Sequence, residues 1–364
     1  MKKNHQFVEK LAALTMTAAI AIVGLSGCGS KAQTTESTGN EVATETSASN
    51  TEIAENKELK PFRIGCGDAK NNQLNDLAAV AQKNGYLEEE LNKVGYTLEV
   101  SGFQGQGPEI NAALMSGSLE AGNYAEFPAL TSKSSGADTT VVAISDPKLF
   151  YGILATSDDI KTVKDLEGKK VVVQLGTSLQ YIWERIVELA GLDKDSIEII
   201  NANAVDGLSL IQTGDADALL SASYAVENYA ESGVGHVVEG VPEDANSSTL
   251  FVVSNKVLEE NPDVAVAINK ALIRTYEDVE KDPQQYYDAV GEKYGENGAK
   301  VVESTYTLNG SLDYLNPEFD DDFSSFIHSV YDWQIDNQLL KGEVDVDSFF
   351  DSSYYEQALK ELGE

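Results

Sequence analysis

The chain contains the same order of predicted elements twice, and this repetition restricts its fold more than any other feature of the sequence. The first copy starts at FRIGCGDAKNNQ and the second at KKVVVQLGTSLQ, and each continues through three strand–loop–helix steps. The segment ALMSGSLEAG aligns with LIQTGDADAL, which places Gly117 over Gly214. A βαβαβ unit closes only as a mainly parallel sheet with helices on both faces. The repetition therefore predicts an α/β fold with two mainly parallel sheets flanked by helices.

Two β-rich segments connect the copies. Residues 139–160 contain two β-rich runs separated by Ser145-Asp146-Pro147, and residues 246–262 contain a return run. A chain that crosses twice between two sheets forms a hinge, which can close around a ligand. The predicted domains are lobe 1, residues 61–145 plus 250–364, and lobe 2, residues 150–245.

The N-terminus has the form of a bacterial export signal. Lys2 and Lys3 precede a short apolar stretch, and LSGC follows it with small residues before Cys28. This order resembles the lipobox of bacterial lipoproteins, in which the cysteine is acylated and becomes the mature N-terminus. The alternative is a transmembrane anchor, for which the apolar stretch is short. We therefore expect a lipoprotein signal peptide over residues 1–27 and a lipid on Cys28.

Composition restricts the partners of the mature chain. Residues 28–60 are rich in Ser, Thr, Glu and Asn, so we expect a solvated tether. The formal net charge of −34 opposes binding to a nucleic-acid backbone and to an anionic lipid surface. We expect no nucleic-acid partner, and attachment to the membrane through the N-terminal lipid alone.

The sequence contains no pattern typical of a metal site, a cofactor site or a catalytic nucleophile. His5, His236 and His328 are scattered without ligand spacing. Once Cys28 is acylated, Cys66 has no disulfide partner, and its position at the end of a strand suggests a buried apolar residue. G-x-S-x-G and G-x-G-x-x-G are both absent. We expect no metal, no cofactor and no enzymatic activity.

Two stretches resemble one family of proteins. FQGQGPEINAALMSGSLEAGNYAEFPAL and VKDLEGKKVVVQLGTSLQYIWERIVELAGL are similar to segments of solute-binding proteins for sulfonates, taurine, nitrate and thiamine precursors. The resemblance implies a two-lobed, periplasmic-binding-protein-like (type II) fold that closes on a ligand and feeds an ABC importer. The chain departs from the family pattern at Glu120. It departs again at Ser221 to Tyr224, where many sulfonate-binding members carry an aromatic turn.

Under this resemblance the partners are a small-molecule ligand, a membrane permease and its ATPase, and we expect a monomeric receptor. The lipid implies a one-membrane bacterium, with the protein held at the extracellular face of the cell membrane. A sensor module that passes its closure to a signalling partner is the alternative that the sequence leaves open.

The turn Gly176-Thr177-Ser178 joins a strand to a helix and raises the question of what it holds. Free N–H groups at a helix start favour an anion, but Thr177 or Ser178 could equally serve only as a helix cap. Its counterpart in the first copy is Gly105-Gln106-Gly107 before Pro108. Ligands in open α/β sheets bind beyond the carboxyl ends of the strands. The predicted ligand-binding residues are Asn71, Asn72, Gln73, Gln104, Gln106, Gly107, Tyr124, Glu126, Gln174, Thr177, Ser178, Asn203, Ser223 and Tyr224.

Charge narrows the expected ligand. Arg63, Arg185 and Arg274 are the three arginines, and we expect neither Arg63 nor Arg185 to reach the cleft. Helix N–H groups suit a singly charged sulfonate or carboxylate, and Glu126 could bind an ammonium group unless it is only an acid at a helix start. We predict a receptor for a sulfonate-like or zwitterionic ligand of the taurine and alkanesulfonate class. A neutral heterocycle of the thiamine-pyrimidine type, held between tyrosines, is the alternative.

Overall fold

A computed structural model describes residues 59–295, 297–306 and 312–363. These residues belong to one unit, Asn56–Glu364. The predicted signal peptide, Cys28 and the tether up to residue 58 lie outside the described residues, so the expectations about them stay predictions. In the described part of the chain, every helix is too short or too polar to cross a bilayer.

The strands follow the predicted order. The described residues form nine strands: β1 (Lys60–Cys66), β2 (Tyr96–Gly102), β3 (Ala121–Ala125), β4 (Thr139–Ala155), β5 (Lys170–Val172), β6 (Glu198–Ile200), β7 (Ala218–Ala222), β8 (His236–Val237) and β9 (Asn246–Ser254). Their order in space is β2-β1-β3-β9-β4-β7-β5-β6, and β8 pairs with β4.

Helices follow most strands. The described residues form fourteen α-helices: α1 (Leu77–Lys83), α2 (Tyr86–Lys93), α3 (Gly107–Met115), α4 (Glu126–Ser134), α5 (Ser178–Ala190), α6 (Ala204–Thr213), α7 (Ser223–Glu231), α8 (Asn255–Glu260), α9 (Asp263–Lys281), α10 (Gln284–Gly291), α11 (Gly298–Tyr306), α12 (Asp321–Asp336), α13 (Val346–Phe349) and α14 (Ser353–Leu362). Short 3₁₀ turns cover Val163–Leu166, Lys194–Ser196, Glu292–Tyr294 and Asp313–Leu315.

The two copies of the sequence pattern form two parallel sets of strands. β1 pairs in parallel with β2 and β3, and β5 pairs in parallel with β6 and β7. The aligned Gly117 and Gly214 both follow a helix with positive φ, +73° and +80°, a conformation in which a Cβ is strained. The predicted α/β class with flanking helices is confirmed, but the two predicted sheets are joined into one mixed sheet, because β4 and β9 pair antiparallel with their neighbours.

β4 and β9 connect the two parallel sets. β4 pairs antiparallel with β9 along its first part and with β7 over Tyr151–Ala155. The sequence indicated two runs separated at Ser145-Asp146-Pro147. The structure instead has one 17-residue strand with register shifts on both sides of Asp146, because bulges absorb the interruption without ending the pairing. β9 also pairs with β3. The boundaries of the two lobes stay a prediction.

The core of the first set packs one face of β1 against helices. Phe62, Ile64 and Cys66 of β1 are fully buried, in one apolar cluster with Leu77 of α1 and Leu272 of α9. Burial of side chains of this size contributes about 1.5–3 kcal/mol each. The packing holds β1 rigidly, so the loop after Cys66 starts from a fixed point.

Candidate functional site

A cavity of about 460 Å³ lies where the strands of both parallel sets end. Its walls come from the segments after β1, β2 and β3 on one side and after β5, β6 and β7 on the other, together with parts of β4, β9 and the Glu292–Tyr294 turn. This is where ligands bind in open α/β sheets, because loops and helix starts converge there.

Five helices of nine or more residues begin at the cavity wall. The residues that line it include Gly107 of α3, Ala125 before α4, Ser178 of α5, Ala204 of α6 and Ala222 before α7. The first N–H groups of a helix have no partner within it and carry a partial positive charge. Their convergence makes the cavity suited to an anion.

Two of these helix starts are capped by their own side chains. Thr177 Oγ1 accepts a hydrogen bond from Leu179 N–H at 3.3 Å and donates one to the Gln174 carbonyl at 2.7 Å. Asn203 Oδ1 accepts from Asp206 N–H at 2.9 Å. The cap interpretation of the Gly176-Thr177-Ser178 turn is thus confirmed at Thr177, which also lines the cavity, and contact with a ligand stays a prediction. The hydroxyl is used by the cap, so a ligand would meet the helix end mainly through backbone N–H groups.

Gly107 has a packing reason to be glycine. A Cβ at this position would collide with the side chain of Pro128 on α4. The absence of a side chain lets the start of α3 lie close to α4. Gln106 before it has φ of +51°, an uncommon conformation for a residue with a side chain.

Nine of the fourteen predicted ligand-binding residues line the cavity: Asn71, Gln104, Gln106, Gly107, Tyr124, Thr177, Ser178, Asn203 and Tyr224. They come from six different segments of both parallel sets, five of them loops or helix starts and one the end of β3. Their role in binding a ligand stays a prediction.

The other five predicted residues, Asn72, Gln73, Glu126, Gln174 and Ser223, are not part of this lining. Asn72 Oδ1 accepts from Gly102 N–H at 2.8 Å, and Gln73 Nε2 donates to the Ala289 carbonyl at 2.6 Å. These two side chains brace the first loop against β2 and α10. Ser223 is the first residue of α7.

Glu126 is fully buried and is held by internal hydrogen bonds. Its Oε2 accepts from Ser248 N–H at 2.8 Å and Ser248 Oγ at 3.1 Å, and its Oε1 accepts from Ser178 Oγ at 3.3 Å. Burial raises the pKa of Glu126 to about 7, against the lowering effect of these donors. The carboxylate ties the start of α4 to β9 and to the start of α5, and its predicted contact with a ligand stays a prediction.

Asp76 was not predicted, and it is the carboxylate that does line the cavity. It is 1 % exposed, and neither of its carboxylate oxygens has a hydrogen-bond partner among the described residues. The Thr249 hydroxyl is close enough to lower the pKa of Asp76, although it is not within hydrogen-bonding distance and angle of either oxygen. Burial raises the pKa of Asp76, and the Lys293 charge lowers it only in part. The pKa of Asp146 on β4 is also raised, mainly by burial and to a smaller extent by the charge of Asp76.

Tyrosine rings form part of the wall beside Asp76. Tyr151, Tyr224, Tyr229 and Tyr294 all line the cavity, and the Tyr224 and Tyr294 centroids lie 5.2 Å apart. Lys293 Nζ lies 5.5 Å from the Tyr224 centroid and 5.4 Å from the Tyr294 centroid, within cation–π range. Because Lys293 and Tyr294 are some 200 residues from the first loop in sequence, no local signal places them here.

Comparisons with known proteins agree with this architecture. The family model described as NMT1/THI5 like matches residues 76–286. A protein of Escherichia coli (strain K12) named as an aliphatic sulfonates-binding protein is 32 % identical over 114 residues, which is 31 % of this chain and 36 % of that protein. The alignment thus spans about a third of the length of this relative.

Solved structures share the fold over most of the chain. The periplasmic sulfonate-binding protein SsuA from Methylobacillus flagellatus KT superposes with a TM-score of 0.67 at 22 % identity, covering 84 % of this chain and 96 % of that one. The alkanesulfonate-binding protein SsuA from Xanthomonas axonopodis pv. citri, bound to MOPS, superposes with a TM-score of 0.64 at 20 % identity. This match covers 81 % of this chain and 99 % of that one. The desulfurization enzyme DszB gives 0.62 at 16 % identity, covering 83 % and 99 %, so the fold is shared by binding proteins and an enzyme. The family match covers more than half of the residues of this chain, so the chain belongs to the NMT1/THI5-like family.

Proposed function

We propose that this protein is the extracytoplasmic receptor of an ABC importer and captures a small sulfonate-like or zwitterionic solute in its cavity. The single observation that carries the proposal is the convergence of five helix starts on one cavity at the carboxyl ends of two parallel sets of strands. Each helix end stabilises an anion by about 0.3–1 kcal/mol, and by up to about 2 kcal/mol where it is partly buried. Micromolar binding requires about −8 kcal/mol, which a few such ends and satisfied polar contacts supply.

The names of the relatives support a sulfonate. Both the sequence relative and the SsuA structures are described as sulfonate-binding proteins, and one of them holds MOPS, a molecule with a sulfonate and an amine. Lys70 and Lys293 also line the cavity, but no described arginine does. A singly charged anion fits this donor set better than a dianion that needs a bidentate guanidinium.

A neutral heterocycle is the second candidate, favoured by the tyrosine rings at the wall. Enzymatic activity is less well supported. Cys66, the single cysteine of the described residues, is fully buried, and burial raises the pKa of its thiol to about 11. A catalytic cysteine needs a lowered pKa and access to substrate, and Cys66 has neither property.

The proposal includes the predicted anchoring and partners. A lipid on Cys28 would hold the receptor at the extracellular face of the membrane as a monomer, and residues 28–60 would let it reach a permease and its ATPase. Closure of two lobes around the ligand would be the signal to the permease.

Calorimetry on the mature chain, from residue 28 with Cys28→Ser, tests the proposal. We expect a sulfonate to bind with micromolar affinity and to raise the melting temperature. Nitrate, amino acids and an aminopyrimidine are the comparison ligands. Tight binding of the aminopyrimidine without any sulfonate binding would favour the second candidate, and genes for a kinase or cyclase beside this one, instead of a permease and ATPase, would favour a sensor.

A further inference from the structure

We propose that Asp76 is the acceptor for a protonated amine of the solute, so that the receptor selects an amino-sulfonate over a plain alkanesulfonate. The inference rests on the proposed function, since the sulfonate end is assigned to the helix starts that converge on the cavity.

The first argument is that Asp76 is buried at the cavity wall without a partner. Asp76 lines the cavity and is 1 % exposed, and its carboxylate oxygens have no hydrogen bond or salt bridge within the geometric limits to a described residue. A buried carboxylate in this condition is destabilising unless a donor reaches it. An ammonium group has three N–H donors and one positive charge, so it supplies what Asp76 lacks.

The second argument is that Asp76 does not perform the structural task of its position. Four aspartates occupy the residue before a helix or 3₁₀ turn in the described chain. Asp193, Asp320 and Asp345 each accept a hydrogen bond from a backbone N–H of the turn that follows, and Asp76 does not. Its φ of +55° and ψ of −129° are uncommon for a residue with a side chain. Capping therefore does not explain this aspartate.

The third argument concerns the charges and rings around Asp76. Lys293 is the described cation whose charge lowers the pKa of Asp76, while the charge of Asp76 raises the pKa of Asp146 on β4 and so favours the neutral form of Asp146. Lys293 Nζ already lies beside the rings of Tyr224 and Tyr294. This wall thus already holds one ammonium group beside the rings, and an ammonium of the ligand would face the Asp76 carboxylate.

The test uses a matched pair of ligands that differ in one group. 2-Aminoethanesulfonate and 2-hydroxyethanesulfonate share the sulfonate and the chain length, and only the first carries an ammonium. We expect the wild-type mature chain to bind the amine at least tenfold more tightly in calorimetry. The measured quantity is the ratio of the two affinities, amine ligand over hydroxyl ligand. Asp76→Asn should reduce this ratio to about one while changing the affinity for the hydroxyl ligand less than threefold.

Glu126→Gln is the matched control, because Glu126 is equally buried but does not line the cavity. It should leave the ratio unchanged. Loss of the ratio in Glu126→Gln and not in Asp76→Asn would overturn the proposal. So would a wild-type protein that binds both sulfonates equally, although the proposed function would then stand. Failure of the wild type to bind either sulfonate would remove the proposed function together with the inference.

A measurement on the wild type alone covers the case in which Asp76→Asn does not fold. The titratable and polar groups that face Asp76 are Asp146 on β4, Thr249 on β9, Lys293 and Tyr294 of the 3₁₀ turn, and the tyrosines Tyr151, Tyr224, Tyr286 and Tyr314. An ammonium ligand should lower the pKa of Asp76 and release protons near pH 6, whereas the hydroxyl ligand should release fewer. Calorimetry in two buffers of different ionisation enthalpy measures this difference, and equal proton release by the two ligands would contradict the proposal.

Discussion

Glu126 and Asp76 are two carboxylates with the same burial and opposite surroundings. Glu126 begins α4, is 0 % exposed and accepts three hydrogen bonds from Ser248 and Ser178. Asp76 precedes α1, is 1 % exposed and has no hydrogen-bond partner among the described residues. Both follow a strand of the first parallel set, where the sequence predicts ligand contacts.

We attribute the difference to two roles, a structural acid at Glu126 and the proposed ligand contact at Asp76. The donors around Glu126 come from the protein, so this carboxylate connects α4, β9 and α5 whether or not a ligand is present. Asp76 is equally buried, but no group of the described residues donates a hydrogen bond to its carboxylate, and it lies at the wall of the cavity. Since an unpartnered buried charge lowers stability, we interpret Asp76 as a residue retained for binding.

The largest change in stability in this comparison is expected for Glu126→Ala. The substitution leaves Ser248 N–H and two hydroxyls without their acceptor in the interior, so we expect a loss of about 2–3 kcal/mol in the free energy of unfolding. Urea unfolding followed by circular dichroism measures it. Asp76→Ala is the control and should lose far less. A loss below about 0.5 kcal/mol for Glu126→Ala would mean that its hydrogen bonds do not hold the elements together.

The next effect is a gain of stability in Asp76→Asn without ligand. Removal of the buried charge should stabilise the empty protein by about 1–2 kcal/mol at pH 7. Thermal unfolding should show a melting temperature several degrees higher. A variant that is less stable than the wild type at pH 7 would indicate that the ionised Asp76 has a structural partner.

The same substitution predicts a pH dependence. The pKa of Asp76 is raised in the folded state, so in the window above its unfolded value the folded protein binds a proton that the unfolded chain has lost. Wild-type stability therefore falls as the pH rises through this window. The gap between Asp76→Asn and the wild type should be small near pH 4 and complete at pH 7. A gap that stays constant from pH 4 to pH 7 would exclude ionisation of Asp76 as its cause.

The smallest effect is expected for Ser178→Ala. Its hydroxyl donates the longest of the three bonds to Glu126, at 3.3 Å, while both Ser248 donors remain. We expect a loss of about 0.5–1 kcal/mol in the free energy of unfolding. If Ser178→Ala proves as destabilising as Glu126→Ala, the bond from α5 and not those from β9 would dominate.

For some residues of the site, the adjacent sequence was sufficient to predict that they line the cavity. Thr177 and Asn203 lie at strand–helix turns, and the sequence placed them at the cavity because turn chemistry depends on adjacent residues. Glu126 also follows a strand, but whether its carboxylate faces the cavity depends on Ser248, more than a hundred residues later. For Asp76 the local signal is misleading, since an aspartate directly before an apolar helix is typical of a cap.

The sequence by itself determined the α/β class and the duplicated order of strands and helices, because the periodicity of apolar residues and the position of glycines are local properties. Tertiary structure alone decided which side chains share the cavity. Lys293 and Tyr294 reach Asp76 through the packing of α10 and the turn after it against the first set. A side chain's partners are set by contacts between distant segments, so the same residue type becomes a structural link at Glu126 and a candidate ligand contact at Asp76.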